Sequence, residues 1–206
     1  MKSLMLMDRK VNLDQSRLLL HYDPAEDWLE YWTPMSGQWD CKDGWLLGSE
    51  PRNRGGILFS KEKYPKDIIF SFTMKTELPA TRDLNAVYCA KWNDKANYIG
   101  ESYVCGLNGW YEGKSGIERL RIKEMKALTG LYKYEPGTQV RITCGVVSGR
   151  NFLLADGELV CELFDTDPID GGFVGFSAYS TILKIKDIDI YEPCYEVIAQ
   201  SYEPEF

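Results

Sequence analysis

The sequence predicts an all-β protein, a two-sheet antiparallel sandwich, and three observations predict it. Helical periodicity is weak almost throughout the 206 residues. Short apolar runs rich in Val, Ile, Phe and Tyr recur between clusters of Gly, Pro, Asn and Asp, as strands joined by turns do. Asp156-Gly157 also stands between two alternating runs, and this dipeptide supplies the positive φ that a type I′ hairpin needs at both central positions.

Taken in order, strands are expected at Leu18–Tyr22, Trp45–Leu47, Gly56–Ser60, Asp67–Thr76, Asp83–Trp92 and Tyr98–Leu107. They continue at Ile117–Lys123, Thr138–Val147, Asn151–Ala155, Glu158–Phe164, Phe173–Tyr179 and Leu183–Tyr191. Within Asp67–Thr76, Phe70, Phe72 and Met74 alternate with Ile69, Ser71, Thr73 and Lys75. One face is therefore apolar and the other is mixed enough to meet a ligand. Leu183 and Ile185 share one parity and Ile188 and Ile190 the other, which a β-bulge near Lys186 reconciles. Glu26 to Trp32 and Lys123 to Leu131 are the expected helical turns. The length suits one sandwich domain, 1–206, around a single core.

Composition narrows the function classes. The chain is 44% apolar and 27% charged, as a globular protein is. Its net charge of −7 repels phosphate backbones and anionic membranes, so neither nucleic acid nor a membrane is an expected partner. The start lacks the apolar stretch of a secretory signal, and a cytoplasmic location is expected. Six widely spaced cysteines with no CxxC pair read as reduced thiols. A lone histidine, His21, leaves no ligand set for zinc, and no oxygen-rich calcium loop is evident, so no metal or other cofactor is expected. Six Trp, thirteen Tyr and eight Phe bring aromatic content to 13%, more than a core of this size requires, so some rings are expected to face a ligand.

The densest signal runs from Tyr103 to Arg119. Gly106, Gly109, Gly113 and Gly116 allow tight or left-handed backbone, leaving Asn108, Trp110, Tyr111, Glu112 and Lys114 to project from a loop between strands. Sugar recognition needs an aromatic ring against the C–H face of the pyranose and amide or carboxylate groups for its hydroxyls. Trp110, Asn108 and Glu112 meet that need, with Tyr103 and Tyr111 beside them. The plainer alternative is a decorated surface loop with its Trp folded onto the core. Arg119 and Arg121 lie opposite Leu120 and Ile122 in parity; pointing outward they would suit a uronate carboxylate, or they form a solvated strand face. Asn85, Tyr88, Lys91 and Trp92 make a second cluster on an adjacent strand, and Arg52 to Gly56 with Trp45 a third.

For chemistry, carboxylates would have to act. Glu101, Glu112 and Glu118 are the candidate acid and base pair of a glycosidase, whose separation decides the stereochemical outcome. His21 is a candidate general base, although its place in an apolar Leu-Leu-Leu-His-Tyr run better suits a structural role.

Five segments, Gly44–Glu50, Gly55–Ser60, Asp83–Ala86, Tyr103–Arg119 and Phe173–Ser177, resemble the bacterial YesU-like proteins over nearly the full length. More remotely, their order is similar to the keto-disaccharide hydrolase-like domains. The resemblance implies a jelly roll of the concanavalin A and galectin type with a concave sugar-binding face, and a role in plant-cell-wall polysaccharide use, rhamnogalacturonan included. It supplies no catalytic set. Three readings follow: an enzyme, glycoside hydrolase or lyase, acting on an oligosaccharide; a lectin-like binding protein; or an interaction protein whose aromatic surface packs in a homo-oligomer.

Overall fold

The computed structural model describes residues 3–50, 55–120 and 123–198. The strands are β1 (Ser3–Leu6), β2 (Arg9–Tyr22), β3 (Trp32–Ser36), β4 (Gln38–Lys42), β5 (Trp45–Ser49), β6 (Gly56–Ser60), β7 (Ile68–Thr76), β8 (Leu84–Ala90) and β9 (Trp92–Asn93). They continue as β10 (Tyr98–Ile99), β11 (Ser102–Trp110), β12 (Lys114–Leu120), β13 (Met125–Thr129), β14 (Val140–Val147), β15 (Arg150–Ala155), β16 (Glu158–Phe164), β17 (Phe173–Ala178) and β18 (Ile182–Val197). A single helical turn, α1 (Trp28–Tyr31), interrupts them.

Two antiparallel sheets result. One runs β1-β2-β18-β7-β14-β15-β16, with β5 on the other half of β18 and β4 beyond it; the other runs β13-β12-β11-β8-β17-β6-β3. Their facing sides bury Trp32, Phe70, Phe72, Tyr88, Tyr103 and Phe176 among many aliphatic chains. Phe176 of the seven-stranded sheet meets Trp32, Phe70 and Phe72 at ring-centroid distances of 5.6, 5.3 and 5.0 Å. Much of the aromatic content thus fills the space between the sheets, a use the composition alone could not separate from ligand binding.

Local expectations hold where local chemistry decides. Asp156 and Gly157 take φ of 51° and 86° and join β15 to β16. Phe70, Phe72 and Met74 face the core. In β18 the register against β7 slips between Lys186 and Asp189, with Asp187 at φ 50°, and Leu183, Ile185, Ile188 and Ile190 all end inside. All six cysteines are free thiols. Other expectations fail for non-local reasons. Residues 123–131 hold β13 rather than a helical turn, because the exposed edge of β12 pairs with Met125–Thr129. The expected strand Tyr98–Leu107 divides where Gly100 N–H donates to Lys91 O, which returns β10 onto β9. The alternating run of β2 begins nine residues earlier than expected, paired along β1 and β18.

Arg119 departs furthest from expectation. It shares the inward parity of Ile117, not an outward one, and its side chain is 4% exposed. Its guanidinium pairs with Asp165, 2% exposed, donates to Asp167 O, and meets Glu101 Oε1 at 2.8 Å. Tyr103 Oη donates to the same Asp165 carboxylate at 2.7 Å and accepts Ile169 N–H at 3.2 Å. This network ties β12 and β11 to the segment leaving β16, so it links the edges of the two sheets. Because a buried charge stripped of its partner is costly, Arg119→Ala should lower unfolding free energy by about 3–5 kcal/mol in denaturant melts. Loss below about 1 kcal/mol would mean that the Arg119–Asp165 pair is solvated in the folded protein.

Candidate functional site

Inward placement of Tyr103, Cys105, Leu107 and Ile117 sends their neighbours outward. The outer side of the seven-stranded sheet therefore carries Asn85 beside Ser177, and Val104 beside Val87 and Glu118. A cavity of about 160 Å³ lies there, lined by Asp83, Asn85, Trp110, Glu118, Ser177 and the rings of Tyr98 and Tyr179.

The glycine-rich motif shapes this cavity more by absence of bulk than by unusual φ. A Cβ at Gly106 would overlap Asn85 Oδ1, and one at Gly109 would come within 2.5 Å of it. Only Gly113 of the four motif glycines has positive φ. The bare backbone leaves room for the Asn85 amide, whose Nδ2 donates to Asp83 Oδ1 at 3.3 Å. Asn85 Oδ1 is buried with no hydrogen-bond partner. Asp83 is 3% exposed, its backbone N–H donating to Asn108 O at 3.2 Å. Burial pushes its carboxyl up to about 6, against the pull of Arg82, whose Nε lies 3.2 Å from Oδ2.

Opposite stands Glu118. Trp110 folds back along its strand and its Nε1 donates to Glu118 Oε2 at 2.9 Å. Lys126, its cross-strand partner on β13, reaches Oε1 at 2.7 Å, and that bond raises the lysine's own pKa. Trp110 is thus half-buried and oriented, not folded into the core.

The remaining sequence candidates divide by location. Asn108 is spent on the loop: its Nδ2 donates to Tyr134 O at 3.4 Å and its N–H to Ser115 Oγ at 3.2 Å. Tyr111 and Glu112 are exposed on the turn Tyr111–Gly113, with Lys114 Nζ over the tyrosine ring at 4.6 Å and 3.5 Å from the Glu112 carboxylate. Neither lines the cavity. Tyr103 and Arg119 are enclosed between the sheets and present nothing to a ligand. Glu101 lies between Arg119 and Lys91; burial opposes its ionisation, but the hydrogen bonds from both cations outweigh that and hold its carboxyl below its ordinary value. It is a fixed counter-ion rather than an acid for substrate. Arg121 and residues 52–54 of the third cluster lie outside the described residues.

His21 and Trp45 belong to the other sheet altogether. His21 Nδ1 meets Asp189 Oδ1 at 2.7 Å, a bond that raises the imidazole pKa, and its ring is exposed rather than buried in an apolar strand. Trp45 sits under Lys186 and Lys75, 4.9 and 5.4 Å from its ring. The mixed face of β7 is likewise on that sheet. Conversely, Asp83, Ser177, Tyr98 and Tyr179 were not singled out as site residues. The one available signal was the Asp83-Leu-Asn85 spacing at a strand start, which places both side chains at one end of one face.

Asp83 also makes the site's stability pH-dependent. Its folded pKa exceeds the ordinary 3.8, so the folded state holds its proton more tightly, and stability falls as pH rises from about 4 through about 6. Asp83→Asn keeps the acceptor for Asn85 and tolerates the positive φ. It should be more stable than the native chain by about 2–3 kcal/mol at pH 7.5 and nearly equal to it at pH 3.5. Equal stability at both pH values in urea melts would show that the carboxyl is hydrated.

No family model matches the chain, and no curated protein matches its sequence. Solved structures do match. A Bacillus subtilis protein of unknown function with a galectin-like fold superposes with a TM-score of 0.72 at 14% identity, over 89% of this chain and 98% of that one. The carbohydrate binding module CBM66 from Bacillus subtilis gives 0.62 at 13% identity, over 78% and 94%. A prokaryotic β-1,3-1,4-glucanase (lichenase) derived from a mouse hindgut metagenome gives 0.53 at 14%, over 85% and 100%. At these identities the likeness is one of fold: the chain is a jelly roll of the galectin and glucanase type.

Proposed function

We propose that this chain binds an oligosaccharide on the outer face of its seven-stranded sheet and cleaves a glycosidic bond there. The observation that carries the reading is Asp83: a buried carboxyl pushed up to about 6 that shares one cavity with a second carboxylate, Glu118, an aromatic ring, Trp110, and the unpartnered Asn85 Oδ1. In its protonated form, held up to about pH 6 by burial, Asp83 donates its proton to the glycosidic oxygen as the C–O bond breaks. Glu118 acts from the other side, as nucleophile or as base for a water, according to the separation the two adopt about the sugar. Asn85 Oδ1 accepts a sugar hydroxyl, and Trp110 lies against the ring.

Two carboxylates and no cation line the cavity among the described residues. Arg82 and Lys126 are committed to Asp83 and Glu118, so a uronate carboxylate finds no cation of its own there, which favours hydrolysis of a neutral sugar over elimination by a lyase. The fold shared with a carbohydrate binding module and a glucanase supports a sugar ligand. The motif resemblance makes plant-cell-wall oligosaccharides, rhamnogalacturonan fragments among them, the first substrates to test. A lectin-like role is the second reading, favoured by the hold of Trp110 and Lys126 on Glu118, which suits a fixed recognition surface.

Incubation with rhamnogalacturonan, xylan, galactan and β-glucan fragments, read by mass spectrometry, should release product. Asp83→Asn should cut the rate by about 100-fold or more while ligand affinity stays within about threefold. Trp110→Ala should weaken affinity by about tenfold. Undiminished turnover in Asp83→Asn would remove Asp83 from the chemistry, and binding without product from any fragment would leave the lectin reading in its place.

A further inference from the structure

The other end of the same sheet face is built differently. Past Val87, the outer side of β8 and its neighbours becomes an apolar cluster of Ile57, Phe59, Val87, Ala90 and Ile99. Phe173 stacks on Phe59 at 5.4 Å, and Trp92 meets Phe59 edge-on at 6.0 Å. Beside these rings open two cavities that share Phe173. One, of about 370 Å³, is lined by Lys63, Lys91, Trp92 and Asp170; the other, of about 340 Å³, has Lys61 on its wall. Lys63 Nζ stands 5.3 Å from the Phe173 ring. Among the described residues, Lys61 and Lys63 have no carboxylate within ion-pair distance, while Lys91 is paired with Glu101 at 2.9 Å. In a chain of net charge −7, cations gathered around exposed ring edges without anions of their own call for a ligand.

We infer that Lys61, Lys63, Trp92 and Phe173 form a second subsite, which takes an anionic sugar unit of the same oligosaccharide. This rests on the reading of the first cavity as a sugar site. The mixture of groups sets the ligand class. Two free ammonium groups take the anion, the rings of Trp92 and Phe173 take the C–H face, and the Asp170 carboxylate accepts from hydroxyls and would repel a bare polyanion. The β9–β10 hairpin joins the two places, since Tyr98 lines the first cavity and Trp92 the second. Asn85 and Ala90 pair with Ser177 and Phe173, four residues apart on β17, because β8 bulges at Cys89; the two places are about 13 Å apart at the rise of a strand. A single sugar ring does not span that length, so the ligand is an oligosaccharide with its neutral unit at Asp83 and its anionic unit at the lysines. A uronate carboxylate and a sulfate ester present the same chemistry to this subsite.

Calorimetric titrations with a rhamnogalacturonan tetrasaccharide of alternating rhamnose and galacturonate, its carboxyl-reduced counterpart and a monosulfated galactan tetrasaccharide test the assignment on the native chain and on Lys61→Ala/Lys63→Ala. An anionic ligand should bind the native chain at least about tenfold more tightly than the reduced one, a preference lost in 0.5 M salt. The double variant should lose that preference and keep its affinity for the reduced ligand within about twofold. The tighter of the two anionic ligands identifies the anion as carboxylate or sulfate. Equal affinity of the native chain for anionic and reduced ligands, or a double variant that retains the preference, overturns the subsite and leaves the first cavity's reading intact. Binding of none of the three, together with none of the neutral fragments, removes the sugar reading itself and the subsite with it.

Discussion

The burial of Arg119 is the constraint on which the site's position depends. With its guanidinium held between Asp165 and Glu101, β12 can have only one parity: Ile117 and Arg119 inside, Glu118 and Leu120 outside. A slip of one residue would carry the charge to solvent and Glu118 into the core, which strand periodicity makes an all-or-none exchange. The register of β12 with β11, and of β11 with β8, then aligns Glu118 with Val104 and Val87, and Gly106 with Asn85. One buried ion cluster thus decides which carboxylate faces the cavity and which serves as counter-ion. Tyr103 completes the cluster, so the same network that orients the strand also fills the polar valences of Asp165.

Against this cluster, whose carboxylates are paired although Arg119 Nε is not, the Asp83–Asn85 corner leaves an acceptor open beside a cavity. Asn85 Oδ1 is buried and unpartnered, an arrangement that costs about 1–3 kcal/mol, and the adjoining carboxyl is kept from water. Both defects lie in one cavity, and a sugar hydroxyl that donates to Asn85 and an oxygen that receives the Asp83 proton would relieve both. A chain selected only for stability would replace this corner with apolar side chains. Gly106 and Gly109 point the same way, since their missing side chains make the space that the amide occupies.

Much of the sandwich was legible in the sequence because its local determinants are local. Asp156-Gly157 has the conformational freedom its turn requires, and the parity change between Ile185 and Ile188 has no resolution other than an extra residue. What the sequence withheld was sheet membership and the absolute sense of each alternation. The Arg119/Leu120 pair alternates identically in either sense, and only the distant Asp165 decides between them. His21 and Trp45 sit in convincing local contexts yet lie on the wrong sheet, because their partners, Asp189 and Lys186, come from the last strand. Residues 125–129 form a strand because an edge of β12 awaits a partner, a fact external to the segment. Asp83 was passed over for a related reason: exposed carboxylates on a loop look available, whereas one hidden at a strand start becomes a candidate only once its burial is known.

Charge is segregated along the face in a way that bears on substrate direction. The Asp83 end presents two carboxylates, the Phe173 end two unpaired lysines, and the apolar cluster under the β9–β10 hairpin separates them. Screening in physiological salt acts over about 8 Å, shorter than the roughly 13 Å between the ends, so each keeps its own sign instead of cancelling the other. On the proposed reading, an oligosaccharide with one charged unit would be oriented before its rings touch the protein: its anion would be drawn to one end and kept from the other. Orientation of this kind would fix which glycosidic oxygen comes to lie beside Asp83, so the lysines would govern the choice of bond although they stand far from its cleavage.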